Sequence, residues 1–144
     1  MAGRTVIIDE STEFGARVAA HLRDEIVVWM TVVAPKSGPL PMPVWFLWEG
    51  GETVRMFSRD GARIRNLEAN PLVSLNFAGD GRGGDIVVLS GRASVERDGP
   101  KTPEVGAYVQ KYAKHIERIG HTPDSFGDDY SVPVRIELTK LRGH

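Results

Sequence analysis

The chain has 144 residues, of which 41% are hydrophobic and 26% charged, with a formal net charge of -1 and no cysteine. That length builds one core and would leave two cores marginal; the missing thiols exclude disulfides, thiolate metal sites and cysteine nucleophiles, and the charge balance argues against a general nucleic-acid binder. The longest apolar runs, 26–34 and 44–48, fall well short of the ~20 residues of a membrane-spanning helix, so no membrane partner is expected.

A single domain over 1–144 is expected, with 1–11 as a flexible lead. Met1–Glu10 has no long apolar centre and no small-residue cleavage site, which points to the cytoplasm. Phe14, Val18 and Leu22, with Ala19 beside them, repeat at helical spacing, and Ser11 or Thr12 stands where a cap belongs. Ile26–Val33 is β-branched and apolar on both faces, as in a strand buried in a barrel or under a second subunit. The Pro and Gly cluster of 35–43 predicts an irregular loop. Val44–Trp48 and Thr53–Ser58 read as strands joined by the turn Glu49–Glu52.

Asp60–Ala69 reads as a short helix that Asn70-Pro71 stops, with Ile64 and Leu67 on one face. Val73, Leu75 and Phe77 alternate with polar residues in a fourth strand. A turn-rich loop over 78–85 leads to a long fifth strand, Ile86–Val95, bent at Gly91. Pro103–Ile119 has a helical stripe of Val105, Tyr108, Val109, Tyr112 and Ile116. His121–Asp129 reads as polar and irregular, and Val132, Val134, Ile136 and Leu138 alternate in a sixth strand. Six strands with short helices between them suggest a small closed barrel with helices at its rim.

Anion chemistry concentrates at Ser58-Arg59-Asp60-Gly61-Ala62-Arg63. A helix starting near Asp60 leaves its first N–H groups unpaired, and its dipole favours an anion there by roughly 0.3–1 kcal/mol. A first turn extending to Arg59 would put Arg59 and Arg63 on one face, each adding about 1.5–3 kcal/mol per charge-assisted contact to a phosphate oxygen. Ser58 adds a hydroxyl donor, and Gly61 removes a side chain where backbone would approach the anion. The alternative is a solvated basic face in which Arg63 or Arg65 pairs with Asp60 or Glu68. Pro43, Val44 and Trp45 offer an apolar floor to a flat ring, although the same residues also suit a core.

His21, His115, His121 and His144 show no metal-ligand spacing, so no metal is expected. Neither a Gly-x-Ser-x-Gly elbow nor a Gly-x-Gly-x-x-Gly fingerprint is present.

Pro43-Val44-Trp45-Phe46, then Ser58 through Leu67, then Asn70-Pro71-Leu72-Val73-Ser74-Leu75 resemble, in that order, the pyridoxamine 5'-phosphate oxidase-like split-barrel family, and within it the actinobacterial flavin/deazaflavin oxidoreductase branch. The resemblance runs from about Asp24 to Leu141 and is weakest over 103–119. It implies a mainly β fold with short helices, a six-stranded split β-barrel, and a homodimer with cofactor sites at the subunit interface. It also implies that Pro43, Val44 and Trp45 lie against a tricyclic ring, while Arg63, where relatives frequently carry lysine, holds phosphate with Ser58, Arg59, Gly61 and Ala62.

The resemblance does not by itself name the cofactor; coenzyme F420 is expected, with FMN as the alternative, because cationic residues lie on either side of Arg63. Lys36, Arg55 and Arg59 are candidates to meet the charged tail that distinguishes F420. The expected activity is hydride transfer between deazaflavin and a small electron-poor organic substrate, the chemistry residing in the cofactor. The alternatives are an FMN-dependent oxidase or reductase and a non-catalytic flavin or F420 carrier. No residue stands out as a catalytic acid; Tyr130, Tyr112 and His115 are candidate proton donors.

Overall fold

The structure, a computed structural model, describes residues 6–144. Positions 1–5 of the expected flexible lead lie outside the described residues. At Asp9 the side chain accepts from the Ser11 N–H at 3.0 Å and its hydroxyl at 2.6 Å, a turn that opens helix α1 (Glu13–Asp24). Thr12 is the cap, its hydroxyl accepting the Gly15 N–H at 2.9 Å, and Val18, Ala19 and Leu22 are buried as their spacing predicts.

Seven strands form one antiparallel sheet: β1 (Val27–Ala34), β2 (Gly38–Trp45), β3 (Leu47–Trp48), β4 (Thr53–Ser58), β5 (Leu72–Asn76), β6 (Val87–Val95) and β7 (Val132–Gly143). Their spatial order is β2-β1-β5-β6-β7-β4-β3. The two edge strands, β2 and β3, are consecutive in the chain and separated by Phe46 alone. In a flat sheet those edges would stand roughly 29 Å apart. A one-residue connection therefore requires the sheet to curl until its edges nearly meet, and the result is a split barrel.

The sheet has seven strands rather than the expected six, because the strand expected over 44–48 divides at Phe46 into the end of β2 and the whole of β3; the proline-rich 35–43 segment is also mostly strand, part of β2, and not irregular loop. Pro39, Pro41 and Pro43 face Val33, Thr31 and Trp29 of β1. At that period of two, their missing N–H groups all fall on the open side of an edge strand, while Leu40, Met42 and Val44 supply the ladder. The strand expected over 44–48 in turn breaks at Phe46. Tyr112 and Lys111 satisfy the backbone freed there: the Tyr112 hydroxyl accepts the Phe46 N–H at 2.8 Å, and the Lys111 ammonium donates to the Phe46 carbonyl at 3.0 Å. The same hydroxyl donates to the Ile26 carbonyl at 2.7 Å.

The barrel interior holds Val28, Met30, Phe46, Val54, Met56, Leu75, Leu89, Val134 and Ile136. A second cluster, Phe57, Tyr108, Tyr112, Ile116 and Phe126, packs outside it. The two are joined at β4, where Val54 and Met56 point inward and Phe57 points to the helices. The 103–119 helix is shorter than expected: a 3-10 turn at Thr102–Glu104 precedes helix proper at Gly106–Arg118. Gly91 marks the predicted bend, since register shifts between Ser90 and Gly91 and a Cβ at Gly91 would stand 2.8 Å from Ile136 Cγ2. Among the described residues no helix is long and apolar enough to cross a membrane.

Candidate functional site

Helix α2 (Ala62–Ala69) begins one strand end away from the second cluster. Gly61 is its N-cap, no side chain caps it, and its first turn carries no acidic residue. The first intrahelical bond runs from the Arg65 N–H to the Gly61 carbonyl at 3.2 Å, so the N–H groups of Ala62, Arg63 and Ile64 are left without helical partners. A Cβ built on Gly61 meets nothing within 4 Å. The helix start is open to an approaching anion.

Arg63, in that first turn, is half-buried, and burial holds its pKa below that of a free guanidinium. Its one polar contact among the described residues is weak, Nη2 to the Met42 sulfur at 3.4 Å. The carboxylates that a solvated basic face would have offered it are taken elsewhere. Asp60 receives both Arg97 terminal nitrogens at 3.0 and 3.3 Å, and Glu68 receives Arg97 Nη2 at 3.2 Å. Arg63 is thus a positive charge left unneutralised beside a cavity.

That cavity has a volume of about 240 Å³ and is lined by Pro43, Val44 and Trp45 of β2, Phe57 of β4, Arg63, Tyr108, Ile119, Phe126 and Tyr130. Tyr108 and Phe126 come from helices α3 (Gly106–Arg118) and α4 (Pro123–Asp129). Trp45 contributes only part of its surface. It stacks on Tyr112 at 4.7 Å and on Phe126 at 5.5 Å, with planes 8° and 15° apart. Phe126 stacks in turn on Tyr130 at 4.4 Å. Tyr130 also sits under the Arg59 guanidinium, 4.8 Å from its ring centre.

The structure brings Pro43, Val44, Trp45, Ser58, Arg59, Gly61, Ala62 and Arg63 to one end of the barrel, and it sets two other candidates apart. Ser58 is buried at the end of β4, its hydroxyl donating to the Arg59 carbonyl at 2.9 Å. Arg59 lies before the helix and not within its first turn; it is exposed and pairs with Asp129 at 2.9 Å. Arg55 is buried against Glu49 at 3.0 Å and Glu96 at 3.4 Å, in a separate groove beside Trp48 and Gly106. Lys36 is exposed in the turn between β1 and β2, which lies roughly 17 Å along the strand from Pro43.

Of the candidate proton donors, Tyr112 is buried with its hydroxyl committed to Ile26 and Phe46, and burial pushes its pKa up. His115 does not line the cavity; its Nδ1 is buried without a partner, and its ring meets the edge of Trp45 at 6.0 Å. Tyr130 does line the cavity. The sequence reading missed Phe57, Tyr108, Ile119 and Phe126 as lining residues. Phe126 was legible in principle: Thr122-Pro123 followed by Ser125 is a helix start, and the Thr122 hydroxyl indeed accepts the Ser125 N–H at 3.1 Å.

A curled antiparallel sheet whose edges meet at Phe46, with short helices at its rim, defines a split β-barrel domain. The chain belongs to the pyridoxamine 5'-phosphate oxidase family, whose model matches residues 14–143. Solved structures of the same fold include an F420 reductase, with a TM-score of 0.61 and 21% identity over 85% of this chain and 94% of that one. A FAD-binding protein from Mesorhizobium loti matches with a TM-score of 0.59 and 22% identity over 88% of each chain. A heme storage protein from Vibrio cholerae matches with a TM-score of 0.58 and 20% identity over 92% of this chain and 93% of that one. A search of curated proteins finds no match.

Proposed function

We propose that the chain is an F420-dependent oxidoreductase that passes a hydride between the deazaflavin and a small electron-poor organic substrate. The observation that carries this reading is Arg63, a half-buried guanidinium without a carboxylate partner, set in an uncapped helix start and facing an aromatic cavity. Those features fit the phosphate of a flavin-type cofactor: a fork of donors, free backbone N–H groups and an open approach at Gly61. When bound, the deazaflavin supplies a hydride at its C5 carbon. Arg63 and the α2 N–H groups would hold the phosphate, and the buried side chains of Val44, Phe57 and Tyr108 would keep water out of the cavity. The Tyr130 hydroxyl, which makes no hydrogen bond among the described residues, is free to donate a proton to the reduced substrate.

The site is shared between two copies of the chain in this reading. A cavity of about 240 Å³ is below the ~300–1,000 Å³ of typical small-molecule sites, so one copy does not enclose a tricyclic cofactor. Beside it, Val27, Trp29 and Val33 of β1 and Leu72 of β5 are exposed on the outer face of the sheet. A second copy seated there would bury them and complete the cavity. Three supports favour the deazaflavin: the F420 reductase among the structural relatives, the exposed Arg59 lying over Tyr130, which lines the cavity with Arg63, and its carboxylate, Asp129, lying where solvent can compete for the pair. Arg55, already neutralised by two glutamates, is not assigned to the tail. The test is turnover: reduced F420 with a conjugated enone should be consumed faster with the protein than without it. Tight binding with no acceleration across a panel of enones and nitro compounds would leave a carrier in place of an enzyme.

A further inference from the structure

We propose that Met42 is a redox-modifiable residue whose oxidation to the sulfoxide closes the anion site by capturing Arg63. This rests on the reading that Arg63 holds the cofactor anion. Of the chain's four methionines, Met1 lies outside the described residues, and Met30 and Met56 are each 1% exposed in the barrel. Met42 is 49% exposed. It faces Met30 across the β1–β2 ladder, on the opposite side of the strand from Pro41 and Pro43. It therefore lies on the other face of the sheet from Val27, Trp29 and Val33.

The sulfur of Met42 stands 3.4 Å from Arg63 Nη2. A thioether is a weak acceptor and holds the guanidinium loosely. A hydroperoxide changes that. The sulfur attacks one peroxide oxygen, an S–O bond forms as the O–O bond breaks, and the departing oxygen takes up a proton to leave as water or an alcohol. Sulfur loses two electrons and the peroxide gains them. The new sulfoxide oxygen is a strong acceptor placed beside a guanidinium that no carboxylate competes for, so it takes the donors a phosphate would use. Sulfoxide reductases restore the thioether, which makes the capture reversible.

The experiment oxidises the wild-type protein and Met42→Leu with hydrogen peroxide and locates the added oxygen by peptide mass spectrometry. Two readouts follow. In the ligand-free protein, the Arg63 Nε–H resonance, assigned by its loss in Arg63→Lys, should shift on oxidation of wild type and stay in place in Met42→Leu. Affinity for F420 and for inorganic phosphate should fall about tenfold on oxidation of wild type, and Met42→Leu should be unaffected. Oxygen added to Met30 or Met56 as fast as to Met42, an unmoved Arg63 resonance in the oxidised protein, or unchanged affinity would each overturn the proposal. If the unoxidised protein binds neither F420 nor phosphate, the anion reading is what fails, and the Arg63 resonance still decides whether the capture occurs.

Discussion

Replacing Arg63 by alanine separates the two things a basic helix residue can do. The wild-type guanidinium has no carboxylate partner to orphan, and its one polar contact is a thioether at 3.4 Å. Truncation also relieves the burial that lowers its pKa. The ligand-free protein should therefore keep its thermal midpoint within about 2 °C of wild type, as for other substitutions worth under ~0.5 kcal/mol. The cofactor complex should lose about 1.5–3 kcal/mol, the value of a charge-assisted hydrogen bond, or roughly ten-fold to more than a hundred-fold in affinity. Arg63→Lys should fall between the two, since an ammonium keeps the charge and loses the planar fork. Trp45 lines the cavity, so its fluorescence reports ligand in an equilibrium titration. Equal affinity of wild type and Arg63→Ala would refute the assignment and return α2 to an ordinary solvated helix.

Sedimentation at micromolar concentration should give twice the 15.8 kDa chain mass, and Trp29→Glu, which places a charge on the exposed face of β1, should shift the protein to monomer and weaken cofactor binding with it. Tyr112→Phe should destabilise the fold by about 1–3 kcal/mol, because it leaves the buried Phe46 N–H unsatisfied, while chemical denaturation in the presence of ligand shows affinity little changed. Gly91→Ala should cost about 1–3 kcal/mol by crowding Ile136 at the β6–β7 bulge, read as a lower denaturation midpoint. Asp85, hydrogen-bonded first by Arg17 and then by His21, has its pKa held below the usual carboxylate value. Its contribution to stability is therefore present above the unfolded value of 3.8 and is lost as pH falls through the lower folded value. Asp85→Asn should accordingly lower the thermal midpoint at neutral pH and flatten its decline below pH ~4; an unchanged acid limb would remove Asp85 from the account.

Much of the fold was legible because it rests on local periodicity. The α1 stripe, the alternation of β5 and β7 and the Gly91 bend all follow from side-chain spacing. The proline-rich 35–43 segment misled because composition alone does not reveal that prolines two apart can all face the open side of an edge. Phe46 was hidden for a tertiary reason: its strand breaks where the sheet must close, and its backbone is satisfied by Tyr112 and Lys111, more than sixty residues away. At the site, Arg63 and Gly61 were readable from the helix start. Ion-pair choices were not. That Arg97 takes Asp60 and Glu68, leaving Arg63 without a carboxylate, and that Glu49 and Glu96 take Arg55, depends on how turns and helix ends distant in sequence come together rather than on spacing. The aromatic wall of Phe57, Tyr108 and Phe126 comes from three elements distant in sequence and assembles only when α3 and α4 dock on β4.

Parallel titration of the cofactor-free protein with F420 and with FMN at two salt concentrations decides whether a deazaflavin-type cofactor is held by Arg63. On the proposed reading both cofactors would present a phosphate to the same helix start, but F420 would add the carboxylates of its tail, for which Arg59 would have to exchange Asp129. Added salt screens each such exposed contact. F420 should bind more tightly than FMN and lose affinity more steeply as salt rises. Submicromolar binding of FMN with no measurable binding of F420 would contradict it.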